Sequence, residues 1–358
     1  MTEQLLYPYV IEPKVVPAIW GGDALVKRFG KPGDPNAKLG ESWECWDQNR
    51  ISNGPLAGKT IAELRAELGD AFLGNLDPLA IFPVLTKIID ARDALSVQVH
   101  PDDAYAQRVE HQPNGKTECW YVLDAQPGAE LVLGWNRDTS RAEYERRVGD
   151  GTLGALLRRV PVKSGDAFYL PSGTLHAICA GIVIFETQQA SDLTYRIFDW
   201  NRVDANGQPR ELHVQKAADV LDYRESHAGA LEELKYELGG IWRTACIADP
   251  HFIVEKLHLT ERWVSLPTEG RPLIFMTLDS PAEIRCAGGA ARLRPYETAL
   301  VAADAQRAQL RASNAHAQVM FVTPPARADA MEERLQTAGI AAERIEQFLR
   351  QFAPLVRT

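Results

Sequence analysis

Three short stretches of this chain hold ligating or acid–base side chains at spacings that bring them together. In Leu95-Ser-Val-Gln-Val-His100, apolar and polar residues alternate. Strand side chains alternate between faces, so Ser96, Gln98 and His100 share one face and converge two strong ligand types at i and i+2. In Gly115-Lys-Thr-Glu-Cys-Trp-Tyr121 the same rule puts Lys116 and Glu118 together, as a surface ion pair or as paired charges in a site. In Gly165-Asp-Ala-Phe-Tyr-Leu-Pro171-Ser-Gly173-Thr-Leu-His176 a turn, a short strand and a second turn deliver His176 to the start of another strand. Histidine and carboxylate brought to one point can ligate a divalent metal, and a neighbouring lysine can stabilise negative charge or move a proton.

The elements that must position these groups are short strands. Apolar runs at Ile81 to Ile89, Leu95 to Val99, Trp120 to Leu123 and Ile182 to Phe185 are punctuated by 26 glycines and 22 prolines, the pattern of an all-β sandwich or barrel with helical insertions. Residues 167 to 185 carry no charge, but Pro171, Ser172, Gly173, Thr174 and His176 make them strand, turn and strand rather than a membrane span. Helical spacing is confined to Thr60 to Leu68 and Ser140 to Val148, each with a capping box (Glu63, Glu143), a further stretch within the polar segment Glu225 to Gly240, and an amphipathic tail from about Ala326 to Phe352. In the tail Ile345, Phe348, Leu349 and Phe352 fall on one face, suited to packing on the body. Residues 241 to 323 are again β-rich. Gly54-Pro-Leu-Ala-Gly58-Lys-Thr60 imitates a phosphate-binding loop but is one residue short and follows no apolar strand, so it reads as a turn into the Thr60 helix.

At 358 residues and 45% hydrophobic composition the chain can bury a full core, with two domains as the expectation. A net charge of −9 argues against nucleic acid or an anionic membrane as partner, while leaving room for a small anion in a local basic pocket. Five widely spaced cysteines without a CxxC suit reduced thiols. With no cationic and apolar leader in Met1-Thr-Glu-Gln4, the expected location is cytoplasmic.

The spacing G-x5-P-x-G-x2-H ending at His176 resembles the second signature of the cupins, small β-barrels that hold a metal inside. The further run Glu186-Thr-Gln-Gln-Ala-Ser-Asp192-Leu-Thr-Tyr195-Arg196-Ile-Phe-Asp199-Trp-Asn-Arg202, with Phe82-Pro-Val-Leu-Thr-Lys87 and Glu211-Leu-His213, makes the chain from about Trp20 to Tyr223 similar to the type I mannose-6-phosphate isomerases in their shorter bacterial form. The resemblance implies a mainly β fold: a catalytic cupin (double-stranded β-helix or jelly roll) domain with helical insertions over residues 1–225, a smaller β-rich cupin-like domain over 226–325 and a helical tail over 326–358. It also implies His100, Glu118 and His176 as metal ligands with Gln98 as a fourth, and Zn2+ as the ion, with Mn2+, Co2+ or Fe2+ able to bind the same set. Arg196 and Lys116 become the catalytic residues, and Ser96, Lys87 and Asp192 the substrate-binding ones; Arg202, with Lys87 and Ser96, is a candidate for phosphate or sugar hydroxyls, and Lys116 and Glu186 both remain candidates for the base. His213 and His111 are read as supporting or structural, and the remaining histidines fall outside the matched motifs. The expected substrate is a small sugar phosphate, interconverted between mannose 6-phosphate and fructose 6-phosphate through a cis-enediol. The competing readings are another metal-dependent cupin enzyme, such as an iron oxygenase, and a sugar-phosphate-binding cupin without catalysis.

Overall fold

The computed structural model describes residues 3–74, 76, 81–203, 207–324 and 329–352. All the anticipated apolar runs are strands, and all pair antiparallel, in two stacked sandwiches.

The first sandwich holds the sequence motifs. Its six-stranded sheet runs, in spatial order, Ala167–Leu170, Glu118–Ala125, Ile182–Gln189, Val84–Ala91, Leu39–Cys45 and Lys14–Gly22; its five-stranded sheet runs Tyr195–Phe198, Val97–Val99, His176–Ile178, Glu130–Trp135 and Leu157–Pro161. Between them Ile89, Trp120, Phe168 and Ile184 of the first pack against Leu131, Leu133 and Ile178 of the second. The five-stranded sheet is closed on its outer side by the helices Arg141–Gly149 and Val214–Val220, through Tyr144, Ala217 and Val220 against Val97, Val99 and Ala177. The outer face of the six-stranded sheet, with Val84, Ile88, Cys119 and Phe185, joins the core of the second sandwich. Being covered on both faces, its central strands Val84–Ala91 and Ile182–Gln189 are buried at every position, with apolar stretches such as Ile182 to Phe185 that do not alternate.

The second sandwich has an eight-stranded sheet, Leu234–Leu238, Ile241–Ala248, Ile253–Thr260, His316–Thr323, Leu273–Thr277, Thr298–Val301, Tyr9–Glu12 and Arg50–Ile51, and a four-stranded one, Val264–Ser265, Gln309–Ala312, Ala282–Cys286 and Gly289–Leu293. The chain's first strand therefore pairs far from its sequence neighbours, Tyr9 opposite Leu300. This ties the start of the chain to the later sheet.

Local signals are met unevenly. The helix Ile61–Leu68 has both halves of its capping box: Glu63 N–H donates to Thr60 Oγ1 at 3.1 Å and Thr60 N–H to Glu63 Oε2 at 2.7 Å. The helix Arg141–Gly149 keeps only the Ser140 half, because the Glu143 carboxylate is held by Arg137 and Arg147. The helical stretch expected within Glu225 to Gly240 is a correction: the structure has the strand Leu234–Leu238 there, with Leu234 and Tyr236 buried and Lys235 and Glu237 exposed, a period of two. The tail is two helices, Ala330–Thr337 and Ala342–Leu349, not one. Ala326, Arg327 and Ala328 lie outside the described residues. Ile345, Phe348 and Phe352 are buried on the body as their spacing required.

Candidate active site and metal centre

The two sheets of the first sandwich present opposed polar faces to one cavity of about 360 Å3. From the six-stranded sheet come Glu41 and Trp43, Lys87, Glu118 and Trp120, and Glu186; from the five-stranded side come Ser96, Gln98, His176 and Arg196. The registers explain the convergence. Lys87 lies opposite Glu186, Glu186 opposite Trp120, and Gln98 between His176 and Arg196.

At the centre His100, Glu118 and His176 each offer one ligand atom, all within 4.8 Å of one another. His100 Nε2 is 3.3 Å from one Glu118 oxygen and His176 Nε2 3.5 Å from the other. Both imidazoles use Nδ1 on a backbone carbonyl, His100 on Leu193 at 2.7 Å and His176 on Thr174 at 2.9 Å. A carbonyl only accepts, so Nδ1 carries the proton and the Nε2 lone pair faces the cavity. The Gln98 amide nitrogen sits 3.5 and 3.3 Å from the two Nε2 atoms, while its oxygen accepts from Ser96 Oγ at 3.3 Å; a half-turn of the amide would offer the oxygen to a cation and let Ser96 accept in turn.

Backbone contacts hold the three segments together. Gly173 N–H donates to the His100 carbonyl at 2.9 Å, and Lys116 N–H to Pro101 O at 2.9 Å. At Gly115 a Cβ would come within 2.4 to 2.6 Å of the backbone of residues 101–103, so only glycine lets the Lys116 segment lie this close to His100. Gly115 N–H donates to Asp103 and Thr117 N–H to Gln189, whose own amide donates to Asp103.

The electrostatics fit a cation. Burial opposes ionisation of Glu118, yet Lys116 at 2.5 Å and the two histidines outweigh it and hold the carboxyl well below the usual carboxylate range. Neither Glu118 oxygen accepts a well-directed hydrogen bond among the described residues, although both are fully buried. Burial pushes both imidazoles down, His176 to about 3, helped by the charge of Lys116 on His100 and by His100 on His176. An ionised carboxylate with unfilled lone pairs facing two neutral imidazoles is the donor set of a borderline divalent metal with open positions, so the residues present fit such an ion.

Around this centre the charges are arranged by role. Lys87 is 3.3 Å from Glu41 and 3.5 Å from Glu186; these carboxylates and Glu118 raise its pKa against the opposing effect of burial. Glu186, which also accepts from Trp120 Nε1 at 2.8 Å, is pushed up to about 7 by burial and by the charge of Glu118. Arg196 makes no ion pair with Asp192 or Asp199 among the described residues; Asp199 is held instead by Arg202 and Arg210. One Arg196 nitrogen donates to the Glu211 carbonyl at 2.8 Å, and Nε is buried without a partner. His213 brackets its backbone, accepting from Arg196 N–H at 3.1 Å and donating to Arg196 O at 2.7 Å. Burial, then Arg210, lowers the Arg196 pKa.

The nine residues expected as ligand, catalytic or substrate-binding groups are thus found together: eight line the cavity, Asp192 among them but solvent-exposed, and His100 belongs to the same ligand cluster; Glu186, the other candidate base, lines the cavity too. Arg202, read as a candidate for phosphate or hydroxyl groups, is turned to Asp199 and the Ala94 carbonyl. Glu41, Trp43 and Arg210 were not foreseen. Glu41 and Trp43 do alternate in Gly-Glu-Ser-Trp-Glu, a signal available from period two; Arg210 lies in a loop with no local pattern.

Comparison with known proteins agrees with this geometry. A family model described as phosphomannose isomerase type I, catalytic domain, matches residues 9–128. The chain is 42% identical over 258 residues to the mannose-6-phosphate isomerase of Streptococcus mutans, covering 71% of this chain and 79% of that one. It is 45% identical over 219 residues to the mannose-6-phosphate isomerase ManA of Bacillus subtilis, covering 60% of this chain and 68% of that one. Among solved structures, the mannose 6-phosphate isomerase from Bacillus subtilis matches with TM-score 0.80 at 32% identity, over 88% of this chain and 99% of that chain. A mutant phosphomannose isomerase from Salmonella typhimurium, 15% identical, shares the fold at TM-score 0.71 over 89% of this chain and 100% of that chain.

Proposed function

The chain belongs to the type I phosphomannose isomerases, metal-dependent aldose–ketose isomerases that interconvert mannose 6-phosphate and fructose 6-phosphate, and we propose that it carries out this reaction in the cavity between the two sheets of its first sandwich. The observation that carries the reading is the meeting of the His100, Glu118 and His176 ligand atoms with Lys116, Lys87 and an Arg196 whose buried Nε has no partner, around one cavity.

We assign Zn2+ to His100, Glu118 and His176 with the Gln98 amide oxygen, the same set being able to take Mn2+, Co2+ or Fe2+. When bound, the ion supplies Lewis-acid polarisation to the substrate's C1–C2 oxygens. Isomerisation then requires a proton to move between C1 and C2 while negative charge develops on oxygen. Glu186 is the proton carrier: it lines the cavity, and its pKa of about 7 lets it both take and return a proton near neutrality. Lys116, bound to Glu118, and Arg196, which no carboxylate pairs among the described residues, supply positive charge to the enediolate oxygens. Lys87, Ser96 and Asp192 hold the sugar phosphate, Lys87 meeting the anion and Ser96 and Asp192 the hydroxyls. Being small and anionic, the substrate finds local positive charge inside an acidic protein.

The direct test is metal analysis joined to an assay of mannose 6-phosphate conversion before and after chelation. Stoichiometric metal, loss of conversion on chelation and recovery on adding Zn2+ are expected. Conversion that survives complete metal removal would refute the assignment, and oxygen consumption with bound iron and no sugar-phosphate turnover would favour an oxygenase instead.

A further inference from the structure

The two imidazoles of the ligand set are oriented in different ways. The carbonyl that accepts from His176 Nδ1 belongs to Thr174, two residues away in the same turn. Backbone bonds close that turn, Thr174 N–H to Pro171 O at 3.2 Å and Gly173 N–H to His100 O at 2.9 Å. The carbonyl that serves His100 belongs to Leu193, 93 residues away. Leu193 lies in the irregular stretch 191–194, between the strands Ile182–Gln189 and Tyr195–Phe198, so no sheet ladder holds it in place.

A side chain does so instead. Gln188, fully buried near the end of its strand, donates through Nε2 to the Ser191 carbonyl at 2.6 Å and to the Gln189 carbonyl at 3.0 Å. Ser191 Oγ accepts from Leu193 N–H at 3.3 Å, and Leu193 O accepts from His100 Nδ1 at 2.7 Å. This relay runs from the strand to the imidazole and sets the direction of its Nε2 lone pair. The next residue steadies the carboxylate: Gln189 Oε1 accepts from Thr117 N–H, between Lys116 and Glu118, at 2.8 Å. Both Gln188 donors go to carbonyls, which only accept, so the amide cannot be turned round, and Oε1 is left buried without a partner among the described residues. By register Gln188 stands opposite Glu118, on the sheet face that bears the ligand carboxylate. An unmatched buried acceptor is a cost that an apolar side chain of similar shape would avoid, and proteins carry such local costs at functional positions.

We propose that Gln188 is a positioning residue of the metal centre, holding His100 in its ligating orientation through Ser191 and Leu193. The inference rests on the metal-dependent reading above and concerns affinity for the ion rather than proton transfer. Gln188→Met keeps an unbranched side chain of similar length and loses both donors. Its Zn2+ affinity, measured by competition with a chromophoric chelator, should weaken by about 10- to 100-fold, the usual effect of removing an outer partner of a metal-bound histidine. Ser191→Ala interrupts the same relay at a half-buried position, should weaken Zn2+ binding in the same direction, and serves if Gln188→Met fails to fold. Thr187→Val, at the buried neighbour on the opposite face of the strand, is the control and should bind Zn2+ as native protein does. A role in folding alone would lower the urea midpoint of the metal-free protein and leave its Zn2+ affinity unchanged. Native Zn2+ affinity in folded Gln188→Met, or in Ser191→Ala where the first variant does not fold, overturns the inference, and so does an equal loss in Thr187→Val. Because the readout is affinity, a native protein that binds Zn2+ without converting mannose 6-phosphate refutes the isomerase reading and not this one; a native protein with no affinity for Zn2+ refutes both.

Discussion

At the scale of single residues the site separates groups that hold charge from groups that can change it. Arg196 is placed beside the ligand set but is not one of it, with its backbone fixed by His213 and its Nε without a partner. Arg196→Ala should therefore keep stoichiometric metal while lowering kcat by about 10²-fold or more, the usual consequence of removing a donor to developing oxyanion; a variant with native kcat would end the assignment. Glu186 should reveal itself through pH. It works as a base only when ionised, so kcat/KM rises with pH through an apparent pKa at or below 7, since a cation at Glu118 offsets the charge that raises Glu186. Glu186→Gln should lower kcat by about 10²- to 10⁴-fold and remove that rising limb, measured as a pH–rate profile. The sequence made the ligand faces legible because strand alternation alone puts Ser96 with Gln98 and Lys116 with Glu118. It could not show that Arg202 turns away to Asp199 while Arg210 comes to the cavity, because both sit in a loop whose path is set by tertiary contacts.

Among the elements, strands were the most legible and chain breaks the least. Apolar runs give strands here because the six-stranded sheet is buried on both faces, whereas the Leu234–Leu238 strand, half exposed and rich in charge, shows its period of two only over five residues. The tail illustrates the opposite difficulty, since a continuous apolar face conceals a helix end. Thr337 closes the first helix; Gly339 N–H donates to Gln336 O at 2.9 Å and Ile340 N–H to Leu335 O at 3.1 Å, a Schellman cap that needs Gly339 at φ +75°. A Cβ at Gly339 would meet nothing within 4 Å, so the cost of replacing it is conformational alone. Gly339→Ala should lower stability by about 1 kcal/mol, read as a fall in denaturant midpoint at unchanged m-value, and Gly339→Asn by less. Native stability in the alanine variant would mean that the tail tolerates another path between its helices.

For the whole molecule the question is what fastens the second sandwich to the catalytic one. Part of the answer is apolar: Phe352 of the tail packs edge-on against Tyr169, whose strand pairs with the start of the Glu118 strand. Part is ionic and titratable. His251, in the second sandwich, donates through Nδ1 to Asp249 at 2.7 Å and places Nε2 3.6 Å from Asp103, the same carboxylate that receives the Gly115 N–H and the Gln189 amide beneath the Lys116 segment. Burial opposes the charged imidazole, but the two carboxylates prevail and raise its pKa from 6.5 to about 9. A group whose folded pKa is raised lends stability that is complete below its unfolded value and is lost as pH climbs through the folded one. The shift corresponds to about 3 kcal/mol, and water around the half-exposed Asp103 reduces it to about 1–2 kcal/mol. Stability measured by urea denaturation should thus decline between pH 6.5 and about pH 9, and His251→Gln should be less stable than native at pH 6 by that amount yet converge with it above pH 9.5. If the two proteins differ equally at both ends of the range, His251 contributes packing rather than charge, and the ionic link between the sandwiches must lie elsewhere.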